Sequence, residues 1–565
     1  MTKSCQNCKT DFVIEDEDLA FYKKIDVPPP TWCPQCRLQR RLSFFNLTNL
    51  FKRPCDLCKK EVVSIYPPEV PYTVYCLNCW WSDKWDPKSY ERDFDPARPF
   101  LAQLNELIHQ VPLITLSIDQ ETRANSPYNN HVSALKNCYL LFQAAHCEDS
   151  AYGFYLQYSK NILDSSLIYS SEKIYNSSNC YRDNNCIGLR HQVTETIDSA
   201  FLSYSHNCQS CFASRNLRNK KYVAFNKQYT KEEYREIVGQ YDLGSWKVYQ
   251  EVQKMAEDHW KTLPPDPDVS MRNMDSTGST FFDCKNCKEC YEVVGAENCK
   301  YMLLIGTGPV SGCYDISSWG DNMSQCYECM NCGVGASRIR FTFDSGLGLD
   351  NAEYAFGAIG SSDIFGSVFL NKAKRCILNK AYDQQSYKEL REKVIQHMNE
   401  MPYVDSLGRK YPYGEFFPSE FSPFPYNLTF ANLFFPLTKD KALAQGYAWR
   451  DREVQEYVHT MEAKDLPDNI KDVPDMITKE IVACEKCARG FRILESELAQ
   501  RRSMNVPLPR TCPFCRIEEK MRGWVKSLTL HDRVCANCGV SFRTNFDETE
   551  APYILCKSCY TKEVA

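Results

Sequence analysis

Sixteen of the thirty-one cysteines stand at the two ends of the chain, in eight Cys-x-x-Cys pairs. The pairs are Cys5/Cys8, Cys33/Cys36, Cys55/Cys58 and Cys76/Cys79 at one end and Cys484/Cys487, Cys512/Cys515, Cys535/Cys538 and Cys556/Cys559 at the other. The spacing between the first two pairs is identical in both sets, and so is the spacing between the last two. Two such pairs supply the four thiolates that a tetrahedral Zn²⁺ ion takes at about 2.3 Å. A single pair could be a redox motif, but eight in matched sets predict four structural zinc sites.

The spacing leaves the pairing within each set open. Sequential pairing joins Cys5/Cys8 to Cys33/Cys36 and Cys55/Cys58 to Cys76/Cys79. Alternatively, Cys33/Cys36 could face Cys55/Cys58, or the sites could interleave in a cross-brace. The gap between the last two pairs lies inside the usual range for a four-cysteine zinc site, and the gap between the first two is slightly longer than that range. Sequential pairing is favoured because only the stretch between the two sites differs in length, by one residue. A length change is easier to accommodate in a linker than in a metal loop.

The residues around the first two pairs also form a pattern. Cys5-Gln-Asn-Cys8 is followed by Phe12, Ile14, an acidic run, Phe21-Tyr22, Pro30, Cys33-Pro-Gln-Cys36-Arg37 and Arg40-Arg41. This pattern resembles the probable zinc-binding domain of bacterial zinc-ribbon proteins, which is treble-clef-like. The second copy, Cys484-Glu-Lys-Cys487 through Phe491, Pro509 and Cys512-Pro-Phe-Cys515-Arg516, is similar but lacks the Phe-Tyr pair and the double arginine. The resemblance covers about forty residues at each end. It implies zinc binding and no particular reaction.

Length and composition narrow the class of protein. The chain has 565 residues, of which 43% are hydrophobic and 25% are charged, as in ordinary globular proteins. A chain of this length is expected to form roughly three to five domains. No apolar run approaches the roughly 18 residues of a membrane helix, and the N-terminus has no signal-peptide core. Cysteines grouped as metal ligands indicate a reducing compartment. The sequence therefore predicts a cytoplasmic protein that does not span a membrane.

A basic surface for nucleic acid is expected only locally, because the formal net charge is −5. The best candidates are Arg37, Arg40 and Arg41, which have helical spacing directly after a cysteine pair. The alternative interpretation is a solvated helix face opposite Leu38 and Leu42. The partner, nucleic acid or protein, is left open, and the N- and C-terminal zinc modules could also associate with each other.

The centre of the chain is built from short repeats rich in Ser, Asn, Asp, Tyr and β-branched residues. One series of related segments begins at Cys147, Ile162, Ile174, Cys186, Ile197, Cys208 and Tyr222, and a second stands at Cys287, Cys299, Cys313, Cys326, Ile339, Ala352, Ile364 and Cys376. Successive members of both series are about a dozen positions apart. A short fixed period is typical of a solenoid. Units of about a dozen residues predict a duplicated parallel β-helix with two units per coil.

Both series end alike. Asn226-Lys-Gln-Tyr229 near the end of the first parallels Asn379-Lys-Ala-Tyr382 near the end of the second. Each leads into an amphipathic stretch, 231–260 and 387–401, for which we predict helices that cover the last rung and its open sheet edge. A further helix is predicted over 438–461. The two modules and two repeat series are therefore arranged as A-B-B′-A′.

The predicted fold class is multidomain and mainly β, with tandem zinc ribbons at both ends flanking a duplicated parallel β-helix with capping helices. The predicted domains are a tandem zinc-ribbon module (1–90), a helical linker (91–130), solenoid half 1 (131–228), a capping helix and linker (229–275), solenoid half 2 (276–380), a helical and irregular connector (381–480) and a tandem zinc-ribbon module (481–565).

Fifteen cysteines lie outside the eight terminal pairs. Two runs have the C-x2-C-x2-C spacing of iron–sulfur ligands: Cys284/Cys287/Cys290 and Cys326/Cys329/Cys332. Neither run has the nearby fourth cysteine and proline of that pattern. Cys186 and Cys208 occupy repeat positions where Ile162 and Ile174 stand in other units. We therefore interpret the central cysteines as core residues.

Recurring carboxylates offer an enzymatic alternative. Asp149, Asp164 and Asp198 share one repeat position, and Arg182, His191 and His206 are also available. Carboxylates on one face of a β-helix suit a carbohydrate-active lyase or glycoside hydrolase, but Asp-Ser is also typical of tight turns. The sequence favours a non-enzymatic zinc-binding scaffold or binding protein that engages RNA or a ribonucleoprotein through its zinc ribbons, with the carbohydrate-active enzyme as the alternative.

Overall fold

The computed structural model describes residues 1–119, 122–268, 270, 272–305, 310–317, 320, 326–330, 333–451 and 458–564. The chain forms two compact units, each assembled from two separate segments. Unit 1 comprises Met1–Leu116 and Ser270–Asp451, and unit 2 comprises Ser117–Val269 and Arg452–Ala565. Each unit therefore contains one cysteine-rich end of the chain and one of the two repeat series. No helix in the described residues is both long and apolar enough to cross a membrane.

The protein is mainly β, with twelve α-helices among the described residues. They are α1 (Asp16–Lys24), α2 (Pro34–Leu42), α3 (Leu77–Trp80), α4 (Phe100–Gln110), α5 (Lys231–Gly239), α6 (Trp246–Lys261), α7 (Gln384–Glu400), α8 (Phe430–Phe434), α9 (Lys439–Ala444), α10 (Glu495–Met504), α11 (Pro513–Leu528) and α12 (Lys557–Val564). Short 3-10 helices cover Pro87–Tyr90, Ser419–Phe421, Tyr426–Leu428, Ala463–Asp465, Ile470–Asp472 and Asp475–Lys479.

The first repeat series forms one thirteen-stranded sheet in the described part of unit 2. Its strands are Asn130–Lys136, Tyr139–Glu148, Ala151–Gln157, Lys160–Leu163, Ser166–Tyr169, Glu172–Tyr175, Ser178–Tyr181, Asn184–Ile187, Val193–Thr194, Ile197–Ser203, Gln209–Arg215, Lys221–Ala224 and Lys227–Gln228. All of its strand pairings are parallel except the last, in which Lys221–Ala224 and Lys227–Gln228 form an antiparallel hairpin.

The register of this sheet advances by one repeat unit at each step. Ile162 pairs with Ile174, and Ile174 pairs with Cys186, so direct neighbours hold the same position in consecutive units. The intervening strand behaves in the same way, since Ser166 pairs with Ser178. A single dozen-residue unit therefore contains both strands of one step, and the prediction of two units per coil is wrong.

The second repeat series, in unit 1, shows the same parallel pairing in smaller sheets. Gly278–Phe282, Cys290–Val294 and Leu303–Ile305 form one, Ala296–Glu297 pairs with Val310–Ser311, and Ser337–Arg340, Asp350–Glu353, Ser362–Phe365, Lys374–Ile377 and Lys380–Ala381 form another. Neighbouring residues again belong to consecutive units, as in Ile339 with Ala352 and Ala352 with Ile364. The final pairing is again an antiparallel hairpin.

The remaining strands are short. They are Thr2–Ser4 with Asp11–Val13, Phe51–Pro54 with Glu61–Ser64, Val74–Tyr75 with Leu113–Ile114, Tyr403–Val404 with Lys410–Tyr411, Met461–Glu462 with Val482–Ala483 and Gly490–Phe491, and His531–Val534 with Ser541–Thr544. The hairpins that contain cysteine pairs belong to this group.

A three-residue backbone period underlies the repeats. Every third residue from Asn125 to Asn185 has a φ between 44° and 59°, in the left-handed region. Non-glycine residues adopt this region at a cost, which is smallest for Asn and Asp because their side chains bond locally to the backbone. Inward side chains follow these positions: Asn161 precedes buried Ile162, and Asn185 precedes buried Cys186. The chain therefore turns at every third residue.

Serine hydroxyls satisfy much of the polar backbone inside the repeats. Ser150 Oγ donates to the carbonyl of Glu148 at 2.8 Å and accepts the N–H of Ile162 at 3.1 Å, one repeat further on. Cysteine takes the same kind of position, as Cys186 Sγ donates to the carbonyl of Asn184 at 3.3 Å. All central cysteines in the described residues are buried. Cys332 lies outside the described residues.

The predicted helices are present with altered bounds. The stretch 231–260 forms two helices, α5 and α6, and the helix predicted over 387–401 is α7, which begins earlier, at Gln384, and ends at Glu400. Helix α6 packs on the repeats of unit 2, because Trp260 Nε1 donates to the carbonyl of Ser214 at 3.1 Å. The helix predicted over 438–461 is α9, which Thr438 caps and which ends at Ala444. Residues 452–457 of that prediction lie outside the described residues.

Candidate metal centres

The sixteen terminal cysteines form four groups, and the four sulfurs of each group lie within 4.8 Å of one another. The groups are Cys5/Cys8/Cys33/Cys36, Cys55/Cys58/Cys76/Cys79, Cys484/Cys487/Cys512/Cys515 and Cys535/Cys538/Cys556/Cys559. The pairing is therefore sequential in both sets. The four groups could each hold a metal ion, and their setting in hairpins and helices is compatible with zinc-ribbon-like modules.

The distances between sulfurs match those around a tetrahedral metal. The Cys8 and Cys33 sulfurs are 3.8 Å apart, and the Cys538 and Cys556 sulfurs are 3.7 Å apart. Four sulfurs placed about 2.3 Å from a tetrahedral Zn²⁺ would be about 3.8 Å from one another. None of these pairs is a disulfide. The four sulfurs of a group are therefore already spaced as they would be around a tetrahedral Zn²⁺ ion.

The first cysteine pair of each group lies in a tight turn between two strands. Four residues after the first cysteine, a residue with positive φ donates its N–H to that cysteine's carbonyl at 2.9 to 3.0 Å. These residues are Lys9, Lys59, Ala488 and Gly539. The same local geometry recurs four times, so the sequence sets the turn at each group in the same way.

The second cysteine pair of each group stands at the start of a helix. Cys33, Cys76 and Cys512 are the N-cap residues of α2, α3 and α11, and α12 begins directly after Cys556. The N–H of Cys33 donates to the Cys5 sulfur at 3.3 Å, and the N–H of Cys512 donates to the Cys484 sulfur at 3.1 Å. Helix N-termini and N–H donors favour thiolates. Each group therefore has an environment suited to charged sulfur ligands.

In the thiols of Cys55 and Cys484, N–H donors outweigh burial and lower the pKa. Burial raises the pKa of the Cys55 thiol, but the N–H groups of Cys58 and Cys76 outweigh burial and lower this pKa to about 7. Burial likewise opposes ionisation of Cys484, and N–H donors including that of Cys512 lower its pKa to about 7. A thiol that ionises near neutral pH binds metal with less competition from protons.

Helix α2 links the first group to the repeats of unit 1. Arg37, which directly follows the ligand Cys36, lies over the Tyr301 ring at 5.1 Å and pairs with Asp315 at 2.9 Å. Arg40 pairs with Glu328 at 2.6 Å and with Glu415 at 3.2 Å. Arg41 pairs with Asp315 at 3.1 Å.

This burial corrects the expectation that Arg37, Arg40 and Arg41 contact nucleic acid. All three side chains are 0–1% exposed, so a phosphate backbone cannot reach them. They are not a solvated helix face either. Sequence reasoning missed their partners because Asp315 and Glu328 stand in the other half of the chain with no local signal.

In unit 2, an arginine that follows a cysteine ligand likewise contacts a tyrosine and an aspartate of the repeats. Arg516, which directly follows the ligand Cys515, lies over the Tyr152 ring at 4.4 Å and forms an ion pair with Asp164. The second copy lacks the double arginine, and Arg501 of α10 takes part instead, pairing with Asp164 at 2.7 Å. An arginine next to the last ligand therefore docks on a tyrosine and an aspartate of the repeats in both units.

The three aspartates occupy turns, but the expectation that they share one repeat position is wrong for Asp164, because the register aligns Asp164 with Tyr152 and not with Asp149. Asp149, Asp164 and Asp198 have φ values of 48°, 51° and 52°. Asp149 and Asp198 accept hydrogen bonds from Asn137 at 3.0 Å and from Asn185 at 2.7 Å. Register places Asp149 and Asp198 four repeat steps apart. At about 4.8 Å per step they are about 19 Å apart, beyond the roughly 5–10 Å of paired glycosidase carboxylates.

The other candidate catalytic residues lie in separate environments. Burial lowers the pKa of His191 to about 3, with Arg215 adding to the effect. Arg182 pairs with Glu195 at 3.4 Å, and His206 Nδ1 lies 2.6 Å from Thr194 Oγ1. Among the described residues, they do not form a nucleophile–base pair with one another.

Comparison with known proteins gives no family. No family model matches the chain, and no curated protein matches it. A solved structure described as a "putative acetyltransferase" from Desulfovibrio desulfuricans G20 is 9% identical, over 50% of this chain and 75% of that chain, with a TM-score of 0.08. A likeness this low supports no statement about fold or activity.

Proposed function

We propose that the protein is a non-enzymatic scaffold in which four Zn²⁺ ions hold zinc ribbons in place against β-solenoids. The observation that carries the proposal is the set of four tetra-cysteine groups, each with its sulfurs within 4.8 Å of one another. Four thiolates leave no open coordination position, which is the arrangement of structural rather than catalytic zinc.

Zinc is the metal we propose for these groups. Tetrahedral sets of four sulfurs are typical of zinc and of iron–sulfur chemistry. N–H groups at the start of three helices donate to the sulfurs of Cys5, Cys55 and Cys484, and the Asn537 amide donates to the Cys559 sulfur at 3.4 Å, so the chain itself orients the ligands. The cysteines in the described residues are free of disulfides, which suits a reducing compartment.

We propose that each repeat series is a narrow β-solenoid. Parallel pairing between consecutive units, with a left-handed residue at nearly every third position, supports a coil of about a dozen residues. An antiparallel hairpin and helices follow the last step of each series, and they would protect the sheet edge there.

The scaffold role is supported by the short path from metal ligand to repeat. Only one peptide bond separates Cys36 from Arg37, and Arg37 is buried against Asp315. The same path runs through Cys515, Arg516 and Asp164. A metal ion that fixes the cysteine would thereby fix the arginine that docks on the repeats. The partners of this scaffold, and an association of the N- and C-terminal zinc modules, stay predictions.

Chelation followed by limited proteolysis tests the proposal. We expect removal of metal to expose 1–80 and 484–565 to protease, because small ribbons lack a core of their own. The repeats should stay resistant and keep their β circular-dichroism signal. Terminal modules that remain resistant after complete metal removal would contradict the proposal. Binding on a glycan array would instead favour the carbohydrate-active alternative.

A further inference from the structure

The last turns of the repeats in unit 2 carry a concentration of positive charge. Residues 199 to 231 contain six lysines and arginines and no aspartate or glutamate. Arg218, Lys220 and Lys221 are exposed, and we call these three residues the basic patch. Within the described residues, none of the three has an ion-pair partner within 4.0 Å, whereas most lysines and arginines elsewhere on the repeats are paired. This charge is therefore available to a partner.

A row of side chains connects the basic patch to exposed tyrosines. Tyr169, Tyr181, Thr194, His206 and Arg218 are successive parallel neighbours in the sheet. At about 4.8 Å per step, Tyr181 lies about 14 Å from Arg218 along this row. The tyrosines and Arg218 therefore lie along one line of the sheet, and Lys220 and Lys221 follow Arg218 after the turn at Asn219.

The tyrosines of this face are open to solvent. Tyr158 is 54% exposed and Tyr181 is 37% exposed. The rings of Tyr169 and Tyr181 stack at 5.2 Å, which holds them in fixed orientations. Arg182 lies over the Tyr181 ring at 4.8 Å. Arg182 is itself paired with Glu195, so the unpaired cations of this face are those of the basic patch, which begins about 14 Å along the row. Exposed aromatic rings and unpaired cations on one face combine the two features that bind unpaired nucleotides, namely stacking and phosphate attraction.

We infer that this face of unit 2 binds single-stranded nucleic acid. The basic patch contacts phosphates, Tyr158 stacks on a base, and Tyr181, whose ring faces are covered by Tyr169 and Arg182, contacts the strand through its exposed edge. The five steps from the Tyr158 level to Arg218 span about 24 Å, on the order of the shortest site sizes of about four nucleotides. The inference rests on the proposed scaffold function in one respect, since the repeats must be folded for the row to exist.

Unit 1 offers a matched control. Its corresponding segment, 352–384, contains Glu353, Asp363 and Asp383. Lys380 there is paired with Asp93 at 2.6 Å, whereas its counterpart Lys227 has no carboxylate partner within 4.0 Å among the described residues. Lys372 and Lys374 are exposed as Lys220 and Lys221 are. Equal charge changes can therefore be made at the two places.

The test measures fluorescence anisotropy of labelled fifteen-nucleotide oligo(U) and oligo(dT) with the full, zinc-loaded chain at several salt concentrations. Lys220→Gln with Lys221→Gln should weaken binding about tenfold and reduce the salt slope by about 1.4, at about 0.7 per lost phosphate contact on single strands. Lys372→Gln with Lys374→Gln should change binding less than twofold. Tyr158→Ala with Tyr181→Ala should weaken binding at least fivefold with the salt slope unchanged.

Several outcomes would overturn the inference. These are equal losses for the two lysine pairs, no loss for the tyrosine pair, or equal competition by duplex DNA, polyphosphate or an acidic peptide. Comparison of oligo(U) with oligo(dT) decides between RNA and DNA as the strand bound. Zinc content and circular dichroism are recorded for every variant. Lost binding with zinc and fold intact concerns this inference alone, whereas absent zinc in the parent protein would concern the scaffold proposal.

Discussion

Single residues decide how the cysteine groups connect to the repeats. Arg37 and Arg516 each follow the last ligand of a group, and each is buried against a tyrosine and an aspartate. Burying a guanidinium is costly unless a carboxylate pairs with it, so each arginine requires its aspartate. The resemblance of the two terminal modules therefore extends to the surface on which each one docks.

Arg37→Ala should lower the free energy of unfolding by about 3 kcal/mol, the low end for breaking a buried ion pair, because Asp315 keeps Arg41 as its only remaining cation among the described residues. The control is Lys52→Ala, which breaks an ion pair whose side chains are 66% and 68% exposed. That change should cost no more than about 1 kcal/mol. Urea denaturation of the zinc-loaded proteins measures both, and equal effects would contradict the buried-pair account.

Glu328 makes the stability of unit 1 depend on pH. Burial raises its pKa to about 7, against the opposing effect of Arg40 and Arg41. The folded pKa is above the unfolded value of about 4.3, so the folded protein holds the Glu328 proton more tightly than the unfolded chain does. The stability contributed by this protonated carboxyl is full at low pH and is lost as the pH rises through about 7. The parent protein should therefore lose stability relative to Glu328→Gln between pH 5 and pH 8. Parallel pH profiles of the two proteins would contradict this assignment.

At the scale of elements, the sequence predicted part of the repeat. The step of about a dozen residues is visible in Cys186, Ile174 and their counterparts because inward side chains recur. The helices at the ends of both series are visible in their amphipathic pattern, whereas the antiparallel hairpins before them were not predicted. The three-residue turn was not visible, because left-handed positions accept residues as different as Tyr152 and Lys173. The same period explains the central Cys-x-x-Cys runs, since residues three apart both face inward.

The interior position of Cys186 lies between Ile174 and Ser199 of the neighbouring units, so we expect it to accept serine more readily than a further branched side chain beside Ile174. Ser177 already donates to the carbonyl two residues earlier at 2.9 Å, as the Cys186 thiol does. Cys186→Ser should therefore change stability by less than about 1 kcal/mol, whereas Cys186→Leu should cost roughly 1–3 kcal/mol through overpacking. Thermal unfolding measures both. A serine variant as unstable as the leucine variant would contradict this packing.

At the scale of the whole molecule, neither unit is a continuous stretch of chain. The N-terminal module belongs with the second repeat series, and the C-terminal module belongs with the first. The order A-B-B′-A′ was readable from the cysteine pairs and from the parallel endings at Asn226 and Asn379. The sequence did not show which module accompanies which repeat series, because that depends on buried pairs such as Arg37 with Asp315.

Cutting the chain between the series should therefore damage both units. A fragment of residues 1–269 contains α2 without Asp315 and Glu328, and it contains Asp164 without Arg501 and Arg516. We expect the repeats of this fragment to unfold at a lower temperature than in the full-length chain, because the buried pairs with Arg501 and Arg516 are missing, while a fragment pair of 1–116 with 270–451 co-purifies. Unchanged thermal stability of the repeats in 1–269 alone would contradict the discontinuous units.

The metal content of the purified full-length chain tests the central claim most directly. Elemental analysis by plasma mass spectrometry should give four zinc ions per chain, one for each group of four cysteines. Replacing Cys5 and Cys8 with serine should reduce the content to three, and the same exchange at Cys208 and Cys211 should leave it at four. Fewer than four zincs in the parent protein, or another metal in their place, would contradict the account.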